Sequence, residues 1–147
     1  VTSVRVEEGF LLGPLEYRDA LLLAFAANGA QVVFMDDGYY LVLQDKPGGS
    51  LLASAAVLNP GIILRKAGSS AYERVAENLP GEVGGLTPCP NPTCITNQPR
   101  EKAARRFRVL VMEGRVAMQC VYCGTLIMGD DLRRMLAASL GVEVDHS

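Results

Sequence analysis

The chain has 147 residues, 49% hydrophobic and 20% charged, with a formal net charge of -2. That length suits one ordinary domain or two small ones, and the composition is globular rather than disordered. The near-neutral charge excludes a strong general pull toward nucleic acid or anionic membrane, and no apolar run approaches the roughly 18–20 residues that span a bilayer. The opening VTSVRVEEG lacks the basic-then-apolar order of a secretory signal, so a cytoplasmic protein is expected.

In chain order, TSVRV (2–6) alternates like a short strand. LEYRDALLLAFAANG (15–29) predicts a helix, with Leu15, Leu22, Leu23 and Ala26 near helical spacing and a stop at Gly29 after Asn28. AQVVFMDDGYYLVLQD (30–45) predicts a hairpin, two apolar runs around Asp37-Gly38. SLLASAAVL (50–58) predicts a short helix with Ser50 as N-cap, ended by Asn59-Pro60, and GIILRK (61–66) a buried strand. Residues 69–77 read equally as a helical turn or an extended piece. ENLPGEVGGLTP (77–88), with two prolines, three glycines and no period, reads as a linker. Beyond it, RFRVLVMEGRVAMQC (106–120) predicts two strands around Glu113-Gly114, and TLIM (125–128) a third. GDDLRRMLAASLG (129–141) predicts a helix, with Asp130 and Asp131 at its positive end and Leu132, Met135, Leu136 and Leu140 as an apolar stripe. The fold class expected is α+β: a ferredoxin-like βαββαβ plait over residues 1–78, a linker at 79–88, and a small all-β zinc ribbon with a C-terminal helix over 89–147.

All four cysteines lie in the second half, as CPNPTC (89–94) and CVYC (120–123). In a reducing compartment such pairs are better explained by metal than by disulfides. Cys-x4-Cys and Cys-x2-Cys each let two thiolates converge from a tight turn, and two such knuckles complete a tetrahedral Zn2+ site. Pro90, Asn91 and Pro92 bend the first knuckle, and Gly124 follows the second, where a turn calls for positive φ. Unbound thiol pairs, or a redox pair at 120–123, are the alternatives.

Four thiolates would close every coordination position, so the metal reads as structural, one ion per chain, and not catalytic. The single histidine, His146, sits in the tail, and no GxSxG, HExxH or Walker-type loop is present. Gly48-Gly49-Ser50 before a helix could seat a phosphate but reads more simply as a turn, and Asp36-Asp37 serves a hairpin. The chain is therefore expected not to be an enzyme, with no catalytic residues. Two other classes remain. One is a nucleic-acid-binding zinc ribbon, in which Arg100, Lys102, Arg105, Arg106 and Arg108, with Arg115 across the hairpin and Phe107 interleaved, attract phosphate. The other is a protein–protein adaptor whose metal-stiffened knuckle presents loop residues to a partner subunit.

LPGEVGGLTPCPNPTCIT (79–96) followed by CVYC (120–123) resembles the regulatory chain of aspartate carbamoyltransferase. The Leu-Pro ten residues before the first cysteine, the Cys-Pro-Asn-x-x-Cys-Ile knuckle and the Cys-x-Tyr-Cys closure carry the likeness. It continues collinearly over 4–78, where GFLLGPLEYRDALLLAF falls on the family's first strand-to-helix passage. The resemblance implies a non-catalytic regulatory and structural subunit in pyrimidine biosynthesis, whose homodimers bridge catalytic trimers. In that family the N-terminal domain binds nucleotide effectors and the zinc domain touches the catalytic chain. It implies that Cys89, Cys94, Cys120 and Cys123 hold zinc and that Asn91 faces the catalytic chain. Thr93 stands where the family has a second asparagine, and Gly124 where it has a glutamate. It also implies that strand 39–43 pairs across the dimer. At the nucleotide site Gly13 replaces the family's aspartate, Pro14 a histidine, Ala53 stands near the place of a lysine, and Arg74 represents another lysine. Each lost charge-assisted contact costs about 1.5–3 kcal/mol, so a weak or absent nucleotide response is expected.

Overall fold

The computed structural model of the chain describes residues 9–27, 29–85, 88–98 and 104–139. The expected strand at 2–6, Leu140, Gly141, His146, Arg100 and Lys102 lie outside them.

The first described strand, β1 (Phe10–Leu15), occupies a stretch whose Gly-Pro hides it from a search for alternation. Leu11, Leu12 and Leu15 are all buried, as expected of a strand covered on both faces. Pro14 is accommodated because the register with β3 (Gly38–Leu43) shifts there, from Leu12 opposite Leu41 to Leu15 opposite Tyr39. Helix α1 (Tyr17–Ala26) follows and ends at Gly29, whose φ of +80° lets its N–H reach the Ala24 carbonyl at 2.8 Å. β2 (Gln31–Met35) and β3 form the expected hairpin, but Met35 pairs with Gly38, so the turn residues are Asp36 and Asp37.

Helix α2 (Gly49–Leu58) is capped by Gly48. Ser50 is thus inside the helix rather than its N-cap, and its carbonyl accepts from the Ser54 hydroxyl at 2.8 Å. β4 (Ile63–Lys66) and β5 (Tyr72–Arg74) complete a five-stranded antiparallel sheet of order β2-β3-β1-β4-β5. The ambiguous 69–77 segment resolves into β5 and a 3-10 turn at Val75–Glu77. β3 lies between β2 and β1, so its backbone groups are already used and strand 39–43 cannot pair across a dimer. The sheet's edges among the described residues are β2 and β5.

Part of the stretch read as a linker is ordered as β6 (Glu82–Gly84), which pairs with β7 (Arg106–Met112). Val83 alone is buried there, too short a signal to register as a period. β7, β8 (Arg115–Cys120) and β9 (Leu126–Ile127) follow in a four-stranded antiparallel sheet of order β6-β7-β8-β9. Glu113 and Gly114 both have positive φ, 51° and 78°, as a two-residue hairpin turn requires. Helix α3 (Gly129–Ser139) buries Leu132 and Leu136, and its Asp131 carboxylate accepts the Met128 N–H at 3.0 Å.

α2 is buried from Ala53 through Leu58, with Ser54 the one polar side chain in that run, because it lies against α1, α3, β6 and β8. A single apolar cluster runs from Leu12 and Leu23 through Ala55 and Val57 to Phe107, Met118 and Leu136. The sheet's opposite face carries a smaller one, Leu11, Val33 and Tyr40. Among the described residues no helix is long and apolar enough to cross a membrane.

Candidate metal centre

β8 delivers Cys120 at its last position, and the turn after it returns Cys123, with Gly124 at φ +76° giving its N–H to the Cys120 carbonyl at 3.0 Å. The first knuckle is held by its asparagines. Asn91 Oδ1 accepts from the Thr93 N–H at 3.0 Å and from the Thr93 hydroxyl at 2.8 Å, an Asx-type turn. Asn97 Nδ2 donates to the carbonyls of Cys89 and Asn91 at 2.9 and 2.8 Å, which ties both ends of the loop.

These turns bring the four Sγ atoms within 4.8 Å of one another, with Cys89 and Cys123 3.5 Å apart and Cys94 and Cys120 3.7 Å apart. A disulfide needs about 2.05 Å between sulfurs. Tetrahedral thiolates at the usual Zn–S length of about 2.3 Å lie about 3.8 Å apart, so the donor set fits a four-coordinate soft metal. Cys89, Cys94 and Cys120 are buried and Cys123 is exposed.

Backbone N–H groups favour the thiolate at each sulfur: those of Asn91 at Cys89, Thr96 at Cys94, Cys123 and Tyr122 at Cys120, and Thr125 at Cys123. The Thr125 and Thr96 hydroxyls add a further donor, 3.0 Å from Cys123 Sγ and 3.2 Å from Cys94 Sγ. The Thr125 hydroxyl draws the Cys123 thiol down to about 6, and that of Thr96 lowers Cys94. Burial pushes Cys89 up to about 12 and raises Cys120. Donors around sulfur stabilise thiolates, the form that binds metal. Sequence reasoning missed both threonines, although a signal was there: each knuckle closes with the same Cys-x-Thr, Cys94-Ile95-Thr96 and Cys123-Gly124-Thr125.

Of the residues expected at a partner surface, Thr93 and Gly124 are exposed and Asn91 is half-buried. Ile95, Tyr122 and Leu126 are exposed around the same knuckles. The basic cluster is less favourable to nucleic acid than its sequence suggests. Phe107 is 1% exposed and opposite Cys120, so its ring is unavailable for stacking on a base, and Arg106 is engaged with Glu82 at 2.8 Å.

The positions aligned with a nucleotide site are also placed. A Cβ on Gly13 would lie 2.7 Å from the Tyr39 carbonyl oxygen and 2.7 Å from the Tyr40 ring, and Ala53 is wholly buried in α2. Arg74 lines a cleft of about 430 Å3, where it is the one cation among the described lining residues, facing Asp37 and Glu77. Its guanidinium lies 3.7 Å from Glu77. Tyr40 donates to Asp37 Oδ2 at 2.9 Å, and burial together with that bond raises its phenol to about 12. Because the folded state holds this proton more tightly than the unfolded chain, Tyr40's contribution is complete below pH 10 and is lost as the pH rises toward 12. Alkaline denaturation of Tyr40→Phe should lack that step; an unchanged profile would contradict it.

Two cysteine knuckles that bring four sulfurs within 4.8 Å of one another beside a short antiparallel sheet have the make-up of a metal-binding domain. Residues 81–133 match the family model described as "Aspartate carbamoyltransferase regulatory chain, metal binding domain". Curated relatives named aspartate carbamoyltransferase regulatory chain extend the likeness. That of Aeropyrum pernix is 34% identical over 132 residues, 86% of this chain and 79% of the relative. That of Hyperthermus butylicus is 36% identical over 109 residues, 74% of this chain and 64% of the relative. That of Caldivirga maquilingensis is 42% identical over 87 residues, 59% of this chain and 50% of the relative. The chain belongs to the family of aspartate carbamoyltransferase regulatory chains. Membership agrees with the expectation that it is a regulatory subunit and not itself an enzyme.

Proposed function

We propose that this chain is a non-catalytic, cytoplasmic subunit that carries one structural Zn2+, docks on an aspartate carbamoyltransferase catalytic chain and, as a homodimer, bridges catalytic trimers. Four cysteine sulfurs within 4.8 Å of one another are the observation that carries the zinc reading, since a cluster of soft thiolate ligands selects zinc or an iron–sulfur cluster over hard cations. Bound there, the ion supplies no reaction: Cys89, Cys94, Cys120 and Cys123 hold it, and it fixes the loops they end. Those loops offer Asn91, Thr93 and Gly124 with exposed Ile95, Tyr122 and Leu126, a mixture of apolar and polar groups that suits a protein partner. The strand order β2-β3-β1-β4 with α1 and α2 on one face supports a ferredoxin-like plait over residues up to about 78, extended by β5. Self-association would use the β2 edge, where Phe34 is exposed.

Nucleotide response is weak or lost in this reading. Gly13 has no room for a side chain, Ala53 none for a lysine, and Arg74 shares its cleft with two carboxylates. A triphosphate meets one cation and two anions there.

The test of assembly is elution mass. Mixed with the catalytic chain of its own organism, the zinc-loaded chain should co-elute as a complex, and Tyr122→Glu should weaken it tenfold or more, about 1.4 kcal/mol or greater. Separate elution of the two chains, with salt-sensitive retention of RNA or DNA instead, would overturn the assignment.

A further inference from the structure

Asp19 belongs to α1 and Arg133 to α3, 114 residues apart, and both leave the solvent together. Their side chains are 3% and 19% exposed. Arg133 Nε donates to Asp19 Oδ1 at 2.8 Å and Nη2 to Asp19 Oδ2 at 3.1 Å, a bidentate fork. Nη1 donates to Asp130 Oδ1 at 2.7 Å, and Nη2 also approaches the Leu58 carbonyl at 3.5 Å. Leu58 ends α2, where the helix dipole favours a positive charge. One guanidinium thus contacts all three helices. On the solvent side Arg18 Nε lies 4.0 Å from Asp19 Oδ1. Gly129 permits the approach: a Cβ there would lie 3.3 Å from the Val57 carbonyl oxygen.

We propose that Arg133 is the joint through which the metal-bearing sheet and the helix layer of the five-stranded sheet sense one another. α3 begins six residues after Cys123, directly behind β9, so an ion held by Cys123 would anchor the chain just ahead of its first turn. Apolar contacts between α1, α2 and α3 would hold those helices together but are non-directional and tolerate sliding. A bidentate fork on a buried carboxylate does not: it sets the distance and angle of α3 against α1. A buried ion pair adds little net stability over an apolar pair of the same size, while either half alone is a buried unpaired charge, so its use here is register rather than strength. The inference does not rest on assembly with a catalytic chain, and its test uses the full chain alone.

The measurement is amide hydrogen exchange across Tyr17–Ala26, with metal bound and after chelation. In the native chain, removing the metal should speed exchange in α1 about tenfold or more. In the doubly apolar variant Asp19→Leu/Arg133→Leu, which leaves no unpaired charge, chelation should leave α1 exchange within about twofold of the metal-bound rate. Arg133→Lys keeps the charge but lacks the fork and supplies a second reading, with transmission below about threefold expected. Equal acceleration of α1 in the native chain and in either variant would overturn the joint and assign the coupling to the apolar contacts. So would an α1 in the native chain that does not respond to chelation.

Discussion

Stripping the metal should unfold the cysteine-bearing sheet, β6 to β9, and Cys94→Ser should do the same without a chelator. β6 and β9 are three and two residues long, and the first knuckle is held only by a three-residue 3-10 turn at Ile95–Asn97 and a few asparagine hydrogen bonds. Structural zinc contributes about 10–16 kcal/mol in small peptide sites, comparable to or above the whole stability of a typical domain. Without the ion, the buried Cys89, Cys94 and Cys120 would also have to take up protons, since thiolates left there would be buried charges with no compensation. The readout is amide protection in β7 and β8: protected amides there after metal removal would contradict the structural role.

Titrated with ATP or CTP in a calorimeter, the chain should show no saturable binding below about 1 mM, and Gly13→Asp should not restore it. With two charge-assisted contacts of about 1.5–3 kcal/mol each missing, affinity falls a hundredfold or more. The substitution should instead destabilise the chain by about 4 kcal/mol, since the new side chain meets backbone at Tyr39 and the ring of Tyr40 in a filled layer and adds a carboxylate there. Micromolar binding by the native chain, or a stable Gly13→Asp chain that binds nucleotide, would defeat this account. The substitution is informative because its two consequences are separable: the stability loss follows from the close approach alone, whereas the absent binding follows from the whole cleft.

Much of the molecule was legible beforehand because its signals are local. Cysteine spacing alone places four thiols in two turns, and the Cys-Pro-Asn-x-x-Cys-Ile knuckle carries the family. The hairpin expected at Asp37-Gly38, one residue past its observed turn, the one at Glu113-Gly114, and α3 with its acidic start follow from turn chemistry and helical period. Local signals failed where neighbours in space set the outcome. β1 is hidden by Gly13-Pro14 because the bulge that tolerates the proline exists only when β3 lies alongside. β6 is hidden because three residues acquire a strand conformation only by pairing with β7.

The sequence by itself therefore determined the two cysteine pairs, the turns that present each pair and the family resemblance, since each knuckle is a short local motif. Only the tertiary structure decided the rest. It buried Phe107 opposite Cys120 instead of on a nucleic-acid face, closed Gly13 against Tyr40, and denied strand 39–43 a free edge. It also brought Asp19 to Arg133 across 114 residues. In the sequence those two are an ordinary acid and base on separate amphipathic helices. Their meaning depends on α1, α2 and α3 excluding water around them together, a condition of distance and burial that no stretch of local sequence encodes.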